Sequence, residues 1–171
     1  MNVFPICEVK MLSECEVGQL VRTLRTGYAS NFSIVCEVPS AKKRGLIWFS
    51  DDHAEFSMFD DSETVSVLAY DGTLNWELDQ TGPFEPPVKE IFNKPGCLII
   101  SQSGQYLNLQ RAHAQLDAPA QFSIEEGTVH PYQERLQDVA IFGAWRLFLE
   151  DADRPIEHRI EIAAFCVKVG D

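Results

Sequence analysis

The sequence has few features that point directly to chemistry. It contains no CxxC pair, no glycine-rich phosphate-binding loop and no GxSxG nucleophile motif. No apolar run approaches the roughly 18 residues that a membrane-spanning helix needs. The first residues lack the basic and apolar regions of a secretory signal. We therefore expect a cytoplasmic protein that binds no membrane, and we predict neither a cofactor nor a catalytic residue.

Basic residues are scarce relative to acidic ones. The 171 residues include 14 Lys and Arg against 26 Asp and Glu, which gives a formal net charge of −12. A field of this sign repels nucleic acids and anionic membranes, because both carry negative charge. It favours cations or basic protein partners, although the same charge also simply keeps a protein in solution.

The five cysteines do not form an evident functional set. Their number is odd, and Cys36, Cys97 and Cys166 lie within apolar runs. This pattern is typical of buried, reduced thiols in a cytoplasmic protein. A nucleophilic cysteine needs a nearby base and an electropositive setting, and the sequence places neither beside any of the five.

Short apolar runs with alternating polarity dominate the chain and predict a mainly β protein. The runs occupy residues 18–24, 32–38, 45–50, 55–59, 65–78, 98–110, 140–150 and 156–169. Asp71–Gly72 and Ser103–Gly104 interrupt two of these runs, and glycine supplies the positive φ angles of tight hairpin turns. We expect antiparallel hairpins that form a sandwich or a partly open barrel.

Helical signals are weak, and residues 86–92 and 131–140 predict only one or two short helices. The proline-rich segment 81–87 interrupts the β pattern and predicts a subdomain boundary within one compact domain spanning residues 1–171. Similar phrases, VGQLVRTL and PGCLIISQ, open the runs before and after this boundary. They raise the hypothesis that the domain consists of two similar halves.

The densest run of potential ligands is SDDHAEFSMFDDSE at residues 50–63. Its middle, residues 54–59, follows a predicted strand and is interpreted as the second strand of a hairpin. An extended chain separates Asp52 from Asp60 by roughly 26 Å, too far for one metal ion to bridge. The spacing also lacks the glycine of an EF-hand loop. We therefore predict two acidic tips that bind a basic partner, formed by Asp51, Asp52, Asp60, Asp61 and Glu63.

A second group of possible ligands comprises His113, Glu126 and His130, which strand-length intervals separate. Two histidines and a carboxylate can hold a metal ion. We favour loop histidines without a metal, because GTVHP at residues 127–131 is typical of a turn. His158 lies on the apolar side of the last run, so we expect it in the core.

Three classes of function remain open. We favour a non-catalytic acidic interaction module, inhibitor-like or immunity-like, because acidic patches accelerate association with a basic protein. The first alternative is a small-molecule-binding β barrel or sandwich, which predicts a cavity of at least ~300 Å³ lined by aromatic residues. The second is a metal-dependent enzyme using His113, Glu126 and His130. An exposed edge strand in the terminal hairpin is the candidate for homodimerisation.

Overall fold

A computed structural model describes residues 6–24, 32–50, 53–78, 94–111, 120–131, 139–151, 153 and 159–166. Those residues confirm a mainly β protein, since they contain fourteen strands and only two single-turn 3-10 helices, Leu12–Glu14 and Ser62–Thr64. The strands are β1 (Cys7–Met11), β2 (Leu20–Thr23), β3 (Phe32–Val38), β4 (Lys43–Phe49), β5 (Ala54–Met58), β6 (Ser66–Tyr70), β7 (Thr73–Leu78), β8 (Leu98–Ser101), β9 (Gly104–Arg111), β10 (Ala120–Ser123), β11 (Thr128–Pro131), β12 (Ala140–Phe142), β13 (Ala144–Glu150) and β14 (Ile160–Cys166).

Three sequence expectations fall wholly or partly outside the part of the chain that the structure describes. The short helix at 86–92 and the proposed boundary at 81–87 lie entirely outside it, and so do residues 132–138 of the second expected helix. Among the described residues, no helix has the length and apolar character needed to cross a bilayer.

Six strands form a continuous ring of pairings, which gives the predicted barrel. Two meanders, β3–β4–β5 and β9–β10–β11, pair antiparallel within themselves. Two parallel pairings, β5 with β9 and β11 with β3, join the meanders and close the ring. The inward-facing residues form the main buried cluster, in which Ile34, Phe56 and Phe122 are at most 5% exposed. Alternation along each strand therefore creates the barrel interior.

A separate sheet of three strands, in the order β14–β13–β7, supplies the rest of this core. Trp145, Leu147 and Phe165 belong to the same buried cluster as the barrel interior. The strands β13 and β14 pair antiparallel, which confirms the predicted terminal hairpin. Within the described residues, β14 lies at an edge of this sheet.

The two halves of the chain make the same pairings in the same register. Gly18 donates its N–H to the carbonyl of Val35 (2.8 Å), and Gly96 donates in the same way to Asn108 (2.7 Å). Then β2 pairs with β3 and β6, as β8 pairs with β9 and β12. We call two residues equivalent when they occupy the same position in corresponding pairings. Equivalent pairs include Leu20 and Leu98, Val21 and Ile99, Ile34 and Leu107, Val35 and Asn108, Leu46 and Gln121, Ile47 and Phe122, Phe56 and Val129, and Ala69 and Ile141.

The parallel pairings provide an independent check of this equivalence. Glu55 pairs with Gln110, and the equivalents of these two residues, Thr128 and Glu37, also pair. The phrases VGQLVRTL and PGCLIISQ occupy equivalent positions, because each begins one residue before its glycine, Gly18 or Gly96. The resemblance between the phrases therefore reflects a common local structure.

The strands β7 and β13, which follow β6 and β12, pair antiparallel with each other. The pairing has six residue pairs, and Trp76 opposite Leu147 is one of the two in the middle. Two residues connect β6 to β7, whereas one residue connects β12 to β13. Counted from the first residues of the two strands, Thr73 and Ala144, Leu74 is equivalent to Trp145 and Trp76 to Leu147. A pseudo-two-fold axis passes through the Trp76–Leu147 pair.

One expected hairpin is wrong. The strands β6 and β7 flank Asp71–Gly72 as predicted, but β6 pairs with β1 and β2, whereas β7 pairs with β13 in the other sheet. Gly72 has a φ of 136°, and a Cβ there would lie 2.7 Å from the carbonyl oxygen of Glu150. The glycine therefore serves a close approach where the chain changes sheets, not a tight hairpin turn.

The other expected hairpin is confirmed, since β8 and β9 pair antiparallel. Its loop lies one residue earlier than predicted, because Ser101 pairs with Gly104. The strand expected at residues 54–59 is also confirmed as β5, which pairs antiparallel with β4. The stretch at residues 50–63 is therefore extended in its middle.

Candidate functional site

A cavity of about 480 Å³ lies between the barrel and the three-stranded sheet, at the turn that precedes β2. We call it the Gly18 cavity. Its apolar wall comes from both layers and consists of Ile34, Leu74, Trp76, Phe122 and Ile124. Its rim is polar and includes Glu16, Gln19, Asp71 and Thr73. The volume exceeds the ~300 Å³ expected of a ligand pocket.

The turn before β2 gives the cavity its floor and part of its rim. Gly18 has a φ of 87°, and a Cβ built on it would meet no heavy atom of the described part of the chain within 4 Å. The side chain of Gln19 is held in place, because its amide donates to the carbonyl of Tyr70 (3.3 Å) and its oxygen accepts from the N–H of Glu16 (3.1 Å). Open space therefore lies directly over Gly18, beside an ordered polar rim.

The charged side chains at the rim of the Gly18 cavity are all negative among the described residues. Glu16 and Asp71 are exposed carboxylates, and the described residues that line the cavity include no Lys, Arg or His. The apolar wall contains Trp76 and Phe122, whose rings offer flat surfaces for contact. The cavity can therefore hold a molecule that has an apolar part and a cationic or hydrogen-donating part.

The expected partner-binding residues lie elsewhere. Asp60, Asp61 and Glu63 are exposed around the 3-10 turn at Ser62–Thr64, and we call this group the acidic corner. Lys43 hydrogen-bonds the side chain of Asp60, which lowers the pKa of that carboxyl. Asp51 and Asp52, at the other end of β5, lie outside the described residues.

A hydrogen-bonded chain at the β4–β5 hairpin was not expected from the sequence. The Ser50 Oγ lies 2.7 Å from the Nδ1 of His53, whose Nε2 lies 2.7 Å from Glu55 Oε1. The indole N–H of Trp48 donates to the second oxygen of Glu55 (3.1 Å). A nucleophilic catalytic triad likewise links a serine, a histidine and a carboxylate through hydrogen bonds. However, the Ser50 hydroxyl also donates to the carbonyl of His53 (3.0 Å), so the chain stabilises the hairpin.

The expected metal ligands come together only in part. Glu126 and His130 approach to 3.7 Å, and His130 Nε2 also lies 2.8 Å from the hydroxyl of Thr128. His113 and His158 lie outside the described residues. No three His, Cys, Asp or Glu side chains cluster as metal ligands in the ranges that the structure describes.

The cysteines differ from the expectation at one position. Cys36 and Cys97 are buried as expected, and burial raises the pKa of each thiol to about 12. Cys166 is exposed, because alternation along β14 directs it away from the core side on which Phe165 lies. The buried thiols are poor nucleophiles at neutral pH, since the thiolate is the reactive form.

No protein-family model, curated protein or solved structure matches this chain, so its function has to be inferred from the site. Sequence reasoning anticipated a pocket with aromatic residues but did not locate it. The signal available was the repeated phrase containing Gly18 and Gly96, because two glycines in matching positions marked the turn that forms the cavity floor.

Proposed function

We propose that this protein is a non-catalytic binding protein that holds a small organic molecule in the Gly18 cavity. The observation that supports this proposal best is the volume of about 480 Å³, within the range of roughly 300–1,000 Å³ typical of ligand sites. Its lining also combines apolar side chains with polar groups at the rim, and ligand sites use both.

The molecule would bury its apolar part against Trp76, Phe122 and Ile34 and direct its polar part to the rim. Cys15, Cys36 and Cys97 are buried thiols, which suits a reducing compartment, so we further propose that the protein acts in the cytoplasm.

The test is a ligand-observed NMR screen of small fragments against the wild type and Leu74→Trp, in which the larger side chain reduces the cavity. Leu24→Trp is the matched control, because Leu24 is 50% exposed and does not line the cavity. We expect fragments that bind the wild type and Leu24→Trp but not Leu74→Trp. A screen in which no fragment distinguishes the two variants would refute the proposal.

A second candidate function is binding of a basic protein partner through the acidic corner, which is one of the two acidic tips that the sequence predicts. The exposure of Asp60, Asp61 and Glu63 and the net charge of −12 support it, because such a surface accelerates association with a basic protein. An edge of β14 would similarly allow a homodimer through strand addition.

This candidate is tested by comparing two triple variants with equal loss of charge. The first combines Asp60→Asn, Asp61→Asn and Glu63→Gln, and the control combines Glu125→Gln, Asp153→Asn and Glu161→Gln, which are also exposed. In low-salt pulldowns, we expect a basic protein to bind the wild type and the control but not the first variant, and to dissociate as salt is added. Equal capture by both variants would indicate only nonspecific attraction.

A further inference from the structure

In the second half of the fold, the place that corresponds to the Gly18 cavity is filled by the protein's own side chains. Gly96, the equivalent of Gly18, has nearly the same backbone conformation, with φ of 95° against 87°. A Cβ built on Gly96 would lie 2.3 Å from the ring of Phe165, whereas one built on Gly18 would meet no atom of the described residues within 4 Å. A phenyl ring therefore fills the space over one glycine, and the same space over the other glycine is open.

A second aromatic side chain completes the filled counterpart. Trp145 is 1% exposed, stacks on Phe165 with ring centroids 5.5 Å apart and planes at 20°, and donates its indole N–H to the carbonyl of Gly96 (2.7 Å). Its equivalent in the first half is Leu74, which lines the Gly18 cavity. Leucine has neither the second ring nor the N–H donor. Among the residues of the first half that the structure describes, no aromatic group takes the place that Trp145 and Phe165 fill in the second half.

The walls around the two places are alike in their apolar part. Phe122 and Ile124 line the Gly18 cavity, and their equivalents Ile47 and Phe49 belong to, or pack against, the buried cluster that contains Trp145. Phe49 contacts Trp145 edge to face, with ring centroids 5.5 Å apart. A flat ring is therefore accommodated by this arrangement of strands.

The charge at the rim differs between the halves. The N–H of Gln19 donates to the carbonyl of Glu16, and the N–H of Cys97 donates to the carbonyl of Lys94, both at 3.2 Å. Glu16 and Lys94 are therefore equivalent, so the open place has a carboxylate where the filled place has an ammonium group. Asp71 adds a second carboxylate to the rim of the Gly18 cavity.

We propose that the Gly18 cavity binds a small aromatic amine. Its flat ring, of phenyl to indole size, lies over Gly18 as Phe165 lies over Gly96, and its cationic group lies at Glu16 and Asp71. This inference rests on the proposed ligand-binding function and specifies the chemical class of the ligand.

The probes are tryptamine and 2-phenylethylamine, titrated into isotopically labelled wild-type protein and followed by NMR. 2-Cyclohexylethylamine keeps the charge but replaces the flat ring, and indole-3-acetate keeps the ring but reverses the charge. We expect tryptamine to shift the signals of Gly18 and Trp76 and to bind at least ~10-fold more tightly than either comparison compound.

Variants that fill the Gly18 cavity test whether tryptamine binds there. Leu74→Trp should weaken tryptamine binding at least ~10-fold, and Leu24→Trp should leave it unchanged. If Leu74→Trp does not fold, Ile124→Phe introduces the side chain of its equivalent, Phe49, from the opposite wall and should have the same effect. The double variant Glu16→Gln and Asp71→Asn should weaken tryptamine about 5-fold and reduce the discrimination against indole-3-acetate.

The outcomes separate this inference from the proposed function. If aliphatic or anionic fragments bind and are lost in Leu74→Trp while both aromatic amines fail, the inference is wrong and the binding function stands. Equal binding of 2-cyclohexylethylamine and tryptamine also overturns the inference, because no flat ring is then selected. If no probe or fragment distinguishes Leu74→Trp from Leu24→Trp, both proposals are wrong.

Discussion

Gly18 and Gly96 show how the same residue in the same backbone conformation acquires different neighbours. Both have positive φ angles, which disfavour any residue with a Cβ. In the ranges that the structure describes, a ring lies directly above Gly96, that of Phe165, and none lies above Gly18. The loss of folding stability caused by adding one methyl group at each position therefore measures the difference between the open space over Gly18 and the filled space over Gly96.

We predict that Gly18→Ala lowers the free energy of unfolding by about 1 kcal/mol, because only backbone strain is added. Gly96→Ala should cost about 1–3 kcal/mol more, since its Cβ also displaces the Phe165 ring. Urea denaturation of both variants provides the measurement. Equal losses would show that the phenyl ring adjusts without cost and that the two places do not differ as described.

The buried thiols make stability depend on alkaline pH. Burial raises the pKa of Cys36 and of Cys97 from 9.0 to about 12, so folding favours the neutral thiol. This contribution is complete below pH 9 and is lost as the pH rises from 9 towards 12, because the unfolded chain then releases protons that the folded chain retains.

We predict that the wild type loses ~2 kcal/mol more stability between pH 8 and pH 10 than the double variant Cys36→Ala and Cys97→Ala. Comparing the two proteins cancels the titration of lysines and tyrosines, which both share. Denaturation at the two pH values is the measurement. Parallel curves for the two proteins would mean that these thiols ionise equally in the folded state.

At the scale of elements, the strands were easier to anticipate than their partners. Residues 65–78 were correctly divided at Asp71–Gly72, but the two strands join different sheets. Alternation identifies a strand because it depends on neighbours in the chain, and it contains no information about which distant strand pairs with it. The Ser101–Gly104 hairpin was anticipated because its partners are adjacent in sequence.

The two connections should respond differently to the same insertion. Four Gly-Ser residues inserted after Gln102 lengthen a hairpin loop and should cost about 1 kcal/mol of stability. The same insertion after Asp71 displaces a segment that lines the Gly18 cavity, so tryptamine affinity should fall at least ~10-fold. NMR titration compares the two. Unchanged affinity in both variants would show that this connection does not shape the site.

At the scale of the molecule, each half depends on the other. The ring of strands closes only through parallel pairings between the halves, and β7 pairs with β13 across the pseudo-two-fold axis. Core residues such as Ile34 and Phe122 come from different halves but belong to one buried cluster. The halves therefore resemble each other without forming separate cores.

We predict that fragments 1–83 and 84–171 are each unfolded alone, since each leaves the barrel edges and the shared core exposed. An equimolar mixture should regain β structure and the near-ultraviolet signal of packed tryptophans. Circular dichroism of the fragments and the mixture is the measurement. A fragment that folds cooperatively by itself would show that the subdomain boundary near residues 81–87 separates independent units.

The sequence by itself determined the positions of most strands, the β8–β9 hairpin and the acidic character of the surface, because these depend on composition and on local alternation. It also contained the matching segments around Gly18 and Gly96, but it did not show that they occupy equivalent positions in two similar halves. Only the tertiary structure decided that the barrel closes through parallel pairings and that a cavity lies over Gly18. The physical reason is that a cavity exists only where no side chain from a distant part of the sequence fills the space. Trp145 and Phe165 fill the space over Gly96, whereas Leu74 leaves the space over Gly18 open.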